Sequence, residues 1–193
     1  MIRRSSLQAY FAGALVVLGT AAFSGVAAGK PVESFTAMAS AKVDANSKDA
    51  VQVDVRINID RWANDEERKS VMKAVKTGGT PALHKLLSAM PDSGTIEVGL
   101  KKVPIKYAFA HPTGAGRIVT IVTADPIHHL GGSLPDAKPK AGYDVAVALL
   151  ILEGVVGHGE LAPAAKVKTN PDGAIVIDDY GSAKVWLKDI QAK

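Results

Sequence analysis

Cysteine is absent from all 193 residues. The chain therefore has no disulfide, no thiolate nucleophile and no cysteine-ligated metal, and its stability has to come from core packing. Aromatic residues make up only 5%, so the position of each one is informative. Charge of either sign is in little excess, with 23 lysines and arginines against 19 aspartates and glutamates. No basic run interleaved with aromatics is present, which leaves a nucleic-acid partner without its usual electrostatic footprint. There is no G-x-S-x-G elbow, and Gly132-Ser133-Leu134 lacks the second glycine that a nucleophilic serine turn needs. Gly114-Ala115-Gly116 and the glycines between Gly154 and Gly159 lie between strand-like runs. A phosphate cradle needs a glycine loop that opens a helix, so neither fits. No histidine spacing of the H-E-x-x-H kind occurs.

The N-terminal residues carry the first positive signal. Arg3 and Arg4 precede an apolar stretch from Ala9 to Ala22, followed by Ser24-Gly25-Val26-Ala27-Ala28. The stretch is shorter than the roughly 18 residues a membrane span requires, and no positive cluster follows it. Small residues at Val26 and Ala28 suit signal-peptidase cleavage before Gly29. Ser6 departs from the twin-arginine pattern, so general export is expected. The expected organisation is a signal peptide at 1–28 and a single β-rich domain at 29–193. The mature chain would be periplasmic or secreted, with no membrane span. Loss of Arg3 and Arg4 reduces its net charge to about +2.

Hydrophobic periodicity indicates the fold. Val51, Val53, Val55, Ile57 and Ile59 alternate with Gln52, Asp54, Arg56 and Asn58, the pattern of a strand with one wet face. Residues 32–43 are its expected partner, through a connection at Asp44–Asp49. Asn64 and Glu67 have capping-box spacing, and Asp65, Glu66 and Glu67 suit a helix N-terminus. Gly78-Gly79 predicts a helix end, and Thr80-Pro81 a new start. Two helices are thus expected, at 65–76 and 81–90, within an insertion at about 64–91. Strand patterns resume at 103–109, 117–124, 143–153, 160–168, 174–178 and 184–190. Pro104 suits an edge strand, and the β-branched run 117–124 suits a strand buried on both faces. Short connections exclude a βαβ repeat. The predicted class is α+β, mostly β: an antiparallel meander forming a barrel or sandwich with one inserted helical pair.

Three side-chain groups are candidates for chemistry. Asp125, His128 and His129 combine a carboxylate and imidazoles, which are good zinc ligands. Adjacent histidines on an extended chain nevertheless point to opposite sides. Glu153 and Glu160 flank a glycine-rich turn and have the residue types for a paired acid and base. Trp62, Tyr107, Phe109, Tyr143 and Trp186 suit the lining of a cavity for an apolar ligand. No catalytic residue is assigned, and no cofactor is expected. The leading expectation is an exported, non-catalytic protein that binds a small apolar molecule or an envelope partner. The alternatives are a metal-assisted hydrolase using the loop histidines, and a structural or interaction module with the helices as its contact face.

Two blocks, Ile59-Asp60-Arg61-Trp62-Ala63-Asn64-Asp65-Glu66-Glu67-Arg68 and Arg117-Ile118-Val119-Thr120-Ile121-Val122-Thr123-Ala124-Asp125-Pro126-Ile127, resemble segments of an uncharacterised family of exported bacterial proteins with no assigned activity. In that family a strand runs into an acidic helix start, and a later strand ends in a T-D-x-P-I-like turn. His128-His129 depart from it, since aromatic residues occupy that place. The resemblance implies a shared fold and export.

Overall fold

The computed structural model describes residues 31–42, 50–130, 134, 138, 140–171, 174–181 and 184–193. The expected signal peptide and its cleavage point, the connection at Asp44–Asp49, and Ser133 lie outside these residues. The elements are β1 (Glu33–Lys42), β2 (Ala50–Ile59), α1 (Asp65–Ala89), β3 (Gly94–Val98), β4 (Lys101–Ile105), β5 (Tyr107–Pro112), β6 (Arg117–Val122), β7 (Val145–Glu153), β8 (Val156–Thr169), β9 (Ile175–Tyr180) and β10 (Val185–Ala192).

The strands form one sheet in the order β4-β3-β2-β1-β10-β8-β7-β6-β5, with β9 paired to the distal part of β8. Every pairing is antiparallel. The two ends of this order, β4 and β5, are separated in the chain by Lys106 alone. The sheet is therefore a nearly closed barrel, drawn round by one covalent step. The expected single strand at 103–109 is divided at that step because its two parts have different partners. Ile105 pairs with Gly94 on β3, and Tyr107 pairs with Val122 on β6. Lys106 is held from several directions. Its amide donates to the Val122 carbonyl at 3.0 Å. Its carbonyl accepts from the buried Ser93 hydroxyl at 3.0 Å. Its ammonium meets Asp92 at 2.7 Å.

The alternating aliphatics of β2 all point inward. Phe35 pairs with Ile57, Ile57 with Ile96, and Ile96 with Val103, so one interior row runs across four strands. Phe35, Val55, Ile57, Ile59, Ile121, Leu150, Leu152 and Leu187 belong to the resulting cluster. On the β2 side the outer face is wet, with Gln52, Asp54 and Arg56 exposed. On the β5–β8 side the outer face carries a second cluster against α1, which includes Val71, Val75, Leu83, Leu87, Val122, Val147 and Ala162. Beneath α1 the strands of that side are buried on both faces, as the β-branched run of β6 predicts.

The expected helical pair is one kinked element. α1 begins with the expected capping box: the Asn64 side chain accepts from the Glu67 amide at 2.9 Å, and Glu67 returns the bond at 3.0 Å. Arg61 grips the same Glu67 carboxylate through both oxygens, at 2.8 and 2.9 Å. The backbone leaves helical geometry at Gly79, with φ 61° and ψ −150°, a region essentially restricted to glycine. Thr80 does not serve as the expected cap of a second helix. Its hydroxyl accepts from the Val167 amide at 3.0 Å, tying the kink to β8.

The expected turn at Gly154–Gly159 is also shorter than its glycines suggest. Glu153 pairs directly with Val156, so only Gly154 and Val155 connect β7 to β8. Gly157 and Gly159 lie within β8, opposite the inward-facing Leu152 and Leu150. A Cβ on Gly157 would stand 2.1 Å from the Ile151 carbonyl oxygen and 2.8 Å from Leu152 Cδ2. Missing side chains here let β8 cross close over β7 and the wall curl. Gly157→Ala is expected to lower stability by about 2 kcal/mol or more, since backbone has to shift. Gly114→Ala, where an added Cβ meets nothing within 4 Å, is expected to stay within about 0.5 kcal/mol of the parent. Urea unfolding of both variants checks this.

Candidate functional site

Alternation along β5, β6, β7 and β8 places every second side chain on the outer face of the sheet, in three cross-strand rows. Tyr107, Val122, Val147 and Ala162 form the first, and all four belong to the cluster beneath α1. The second row is Phe109, Thr120, Leu149, Glu160 and, on β10, Trp186. The third is His111, Ile118, Ile151 and His158. The second and third rows floor a groove of about 430 Å³. Arg68 and Met72 of α1 form one wall, and Asn170, Ala174, Ile175 and Val176 at the tip of the β8–β9 hairpin form another.

The floor is mainly apolar. The Tyr107 and Phe109 rings stack with centroids 6.3 Å apart. The Arg68 guanidinium lies over the Phe109 ring at 5.2 Å. Burial pushes the Tyr107 hydroxyl far above its ordinary range, against the opposing field of Arg68. Two floor residues keep large apolar exposure: Ile151 is 42% exposed and Trp186 51%.

Glu160, the one carboxylate among the described lining residues, is neutralised. Lys184 Nζ stands 2.6 Å from its Oε2. The same ammonium lies over the Tyr180 ring at 4.9 Å and the Trp186 ring at 4.6 Å. Burial alone would raise the Glu160 pKa, but hydrogen bonds from Lys184 and Tyr180 hold it below its ordinary value. The hydrogen bond to Glu160 raises the Lys184 pKa in turn. Burial and the neighbouring Glu160 raise that of the Tyr180 hydroxyl.

The expected ligand-lining aromatics lie in three places. Tyr107, Phe109 and Trp186 meet in this groove, on the outside of the barrel. Trp62 packs against the interior cluster. Tyr143 is buried beside Ala164, donates its hydroxyl hydrogen to Asp179, and receives a hydrogen bond from Lys140 at 3.1 Å. The expected metal ligands also separate. Asp125 and His128 border a shallow hollow with His84 and Lys140, and His129 borders a different one beside Asp54 and Leu130. His84 Nε2 is 4.0 Å from Asp125. Among the described residues, no group of three or more histidine, aspartate or glutamate side chains has a metal-holding arrangement. Glu153 and Glu160 pair with Val156 and Leu149 respectively, at different levels of the wall.

Sequence reasoning missed Arg68, Ile118, Thr120, Leu149, Ile151 and His158 as groove residues. The available signal was the strand period itself: counting in twos from Phe109 and Trp186 through antiparallel partners reaches each strand residue of this set. No protein-family model matches the chain, and no curated protein or solved structure is significantly similar to it. Among the described residues, no helix is long and apolar enough to cross a membrane.

The Glu160–Lys184 pair has a definite pH signature. The depressed carboxyl contributes stability that is present above its unfolded value and is lost as pH falls through the folded one. The raised ammonium contributes stability that is full below its unfolded value and is lost as pH rises through the folded one. Both partners are partly solvated, so Lys184→Met is expected to cost about 1 kcal/mol at neutral pH. The gap between variant and parent should narrow as pH falls below the ordinary glutamate range and close once Glu160 is protonated. Urea midpoints measured across pH check this.

Proposed function

We propose that this protein is a non-catalytic binding protein that takes a small apolar molecule into the groove on the outer face of its barrel. One observation carries the proposal: the floor of the groove leaves Ile151 and Trp186 open to solvent beside Phe109, Ile118 and Leu149. Contiguous apolar surface of this kind is costly in water unless a ligand or partner covers it. The volume of about 430 Å³ falls within the usual range for small-molecule sites. Pairing with Lys184 removes Glu160, the one carboxylate among the described lining residues, from acid–base work, which favours carriage over chemistry. The N-terminal pattern of Arg3-Arg4, an apolar stretch and a small-residue cut before Gly29 supports export, and with it carriage in the periplasm or outside the cell.

A neutral hydrophobic probe, N-phenyl-1-naphthylamine, is expected to bind saturably with fluorescence enhancement. Ile151→Asp places a charge on an already exposed part of the floor. It should weaken binding about tenfold or more, equivalent to roughly 1.4 kcal/mol, with the circular dichroism spectrum unchanged. Val32→Asp, at an exposed apolar residue that does not line the groove, should bind like the parent. Absence of saturable binding, or equal binding by Ile151→Asp, would overturn the proposal.

A further inference from the structure

Two hydroxyls of the groove are not used by the protein around them. Tyr107 and Thr120 both line it, and they are only 2% and 7% exposed. Tyr107 pairs with Val122 and Phe109 with Thr120. The two are therefore diagonal neighbours on the outer face of β5 and β6, roughly 7–8 Å apart. Among the described residues neither hydroxyl has a hydrogen-bond partner, and no sealed side-chain oxygen or nitrogen is left unpaired. Both oxygens therefore open to the groove. Ser93, Thr80 and Thr123, buried to a similar degree, each bond to backbone instead. A hydroxyl held in an apolar floor without a partner costs free energy, and the cost is recovered when a ligand oxygen meets it. Burial pushes the Tyr107 hydroxyl far above its ordinary range, so it stays a neutral donor. The charged lining residues offer a ligand no counter-charge. Glu160 is held by Lys184 at 2.6 Å, and Arg68, over the Phe109 ring, is engaged as well.

We infer that the groove takes an uncharged molecule with one hydrogen-bonding oxygen on an apolar body, the oxygen at the Tyr107 and Thr120 hydroxyls and the body across Ile118, Leu149 and Ile151. This inference rests on the apolar-ligand reading above and adds to it one polar group, its lack of charge and its place. Hydroxyls both donate and accept, so an alcohol and a carbonyl share the required chemistry. A charged head would give up its hydration with no opposite charge to replace it.

Displacement of N-phenyl-1-naphthylamine at pH 8 by 1-decanol, 2-decanone, 1-chlorodecane and decanoate, each below its solubility limit, tests the inference. 1-Decanol, 2-decanone or both should displace the probe at least about fivefold more tightly than 1-chlorodecane and decanoate. The tighter of the two identifies the group as alcohol or carbonyl. Thr120→Val and Tyr107→Phe each remove a hydroxyl and keep the shape of the floor. Each should lose part of the preference, and the double variant all of it, with 1-chlorodecane affinity kept within about twofold. Thermal midpoints of the variants should match or exceed that of the parent, because neither hydroxyl is bonded within the protein. Equal or tighter binding of 1-chlorodecane by the parent would overturn the oxygen anchor and leave the groove reading standing. Tighter binding of decanoate than of both neutral oxygen compounds would overturn the uncharged class. A preference that survives in the double variant, or single-variant midpoints lowered by more than about 4 °C, would overturn the assignment to these hydroxyls. Failure of the probe itself to bind would overturn both readings.

Discussion

The barrel depends on the one-residue step at Lys106. A curved sheet with two ends leaves two rows of unpaired backbone groups, a liability that closure removes. Here the two ends are consecutive in the chain, so one residue has to leave β3 and join β6 without leaving its own polar groups unpaired. Lys106 does so with its amide on Val122, its carbonyl on Ser93 and its ammonium on Asp92. Ser93 also receives the Asp60 and Arg61 amides on its carbonyl, at 2.9 and 3.2 Å. The closing point is thereby fastened to the segment that leads into α1. Closure and helix placement share a single set of hydrogen bonds.

Helix placement in turn creates the groove. α1 covers the Tyr107 row of the outer face and stops short of covering the Ile151 row. The kink at Gly79 and the bond from the Val167 amide to Thr80 hold the C-terminal half of the helix against β8. The N-terminal half presents Arg68 and Met72 to the groove. Apolar side chains that a longer or straighter covering element would bury are left as a floor.

Much of the fold was legible in the sequence because its signals are local. The alternation of β2, the capping box at Asn64, the proline on β4 and the β-branched run of β6 each express a single physical preference, and each corresponds to an observed element. The errors arise where one residue type serves two purposes. Gly78-Gly79 interrupts the helix as its composition predicts, but the Thr80 hydroxyl is bonded to β8 rather than capping a second helix, and the two segments run on as one kinked element. Gly157 and Gly159 have the composition of a turn, yet they make room for Leu150 and Leu152 inside the barrel. The groove was only partly visible, through Tyr107, Phe109 and Trp186. Ile118, Thr120, Leu149 and Ile151 belong to β6 and β7, where the alternation that separates inside from outside is hidden by near-uniform hydrophobicity.

The position of β10 has a consequence for how the chain acquires its structure. β1 to β4 and β5 to β8 form two meanders, the first interrupted by α1 and the second by the connection from Val122 to Val145, and β10 bridges them by pairing with β1 on one edge and β8 on the other. Until β10 arrives, each half-barrel carries a bare margin as long as a strand. A chain that emerges amino end first holds the β1 margin open through almost its whole delivery, and the β8 margin from the emergence of that strand until β10 follows, and unpaired edges are exposed to wrong partners meanwhile. β10 is therefore the keystone of an arch, and any escort that keeps the two halves from misjoining has to act before it is set.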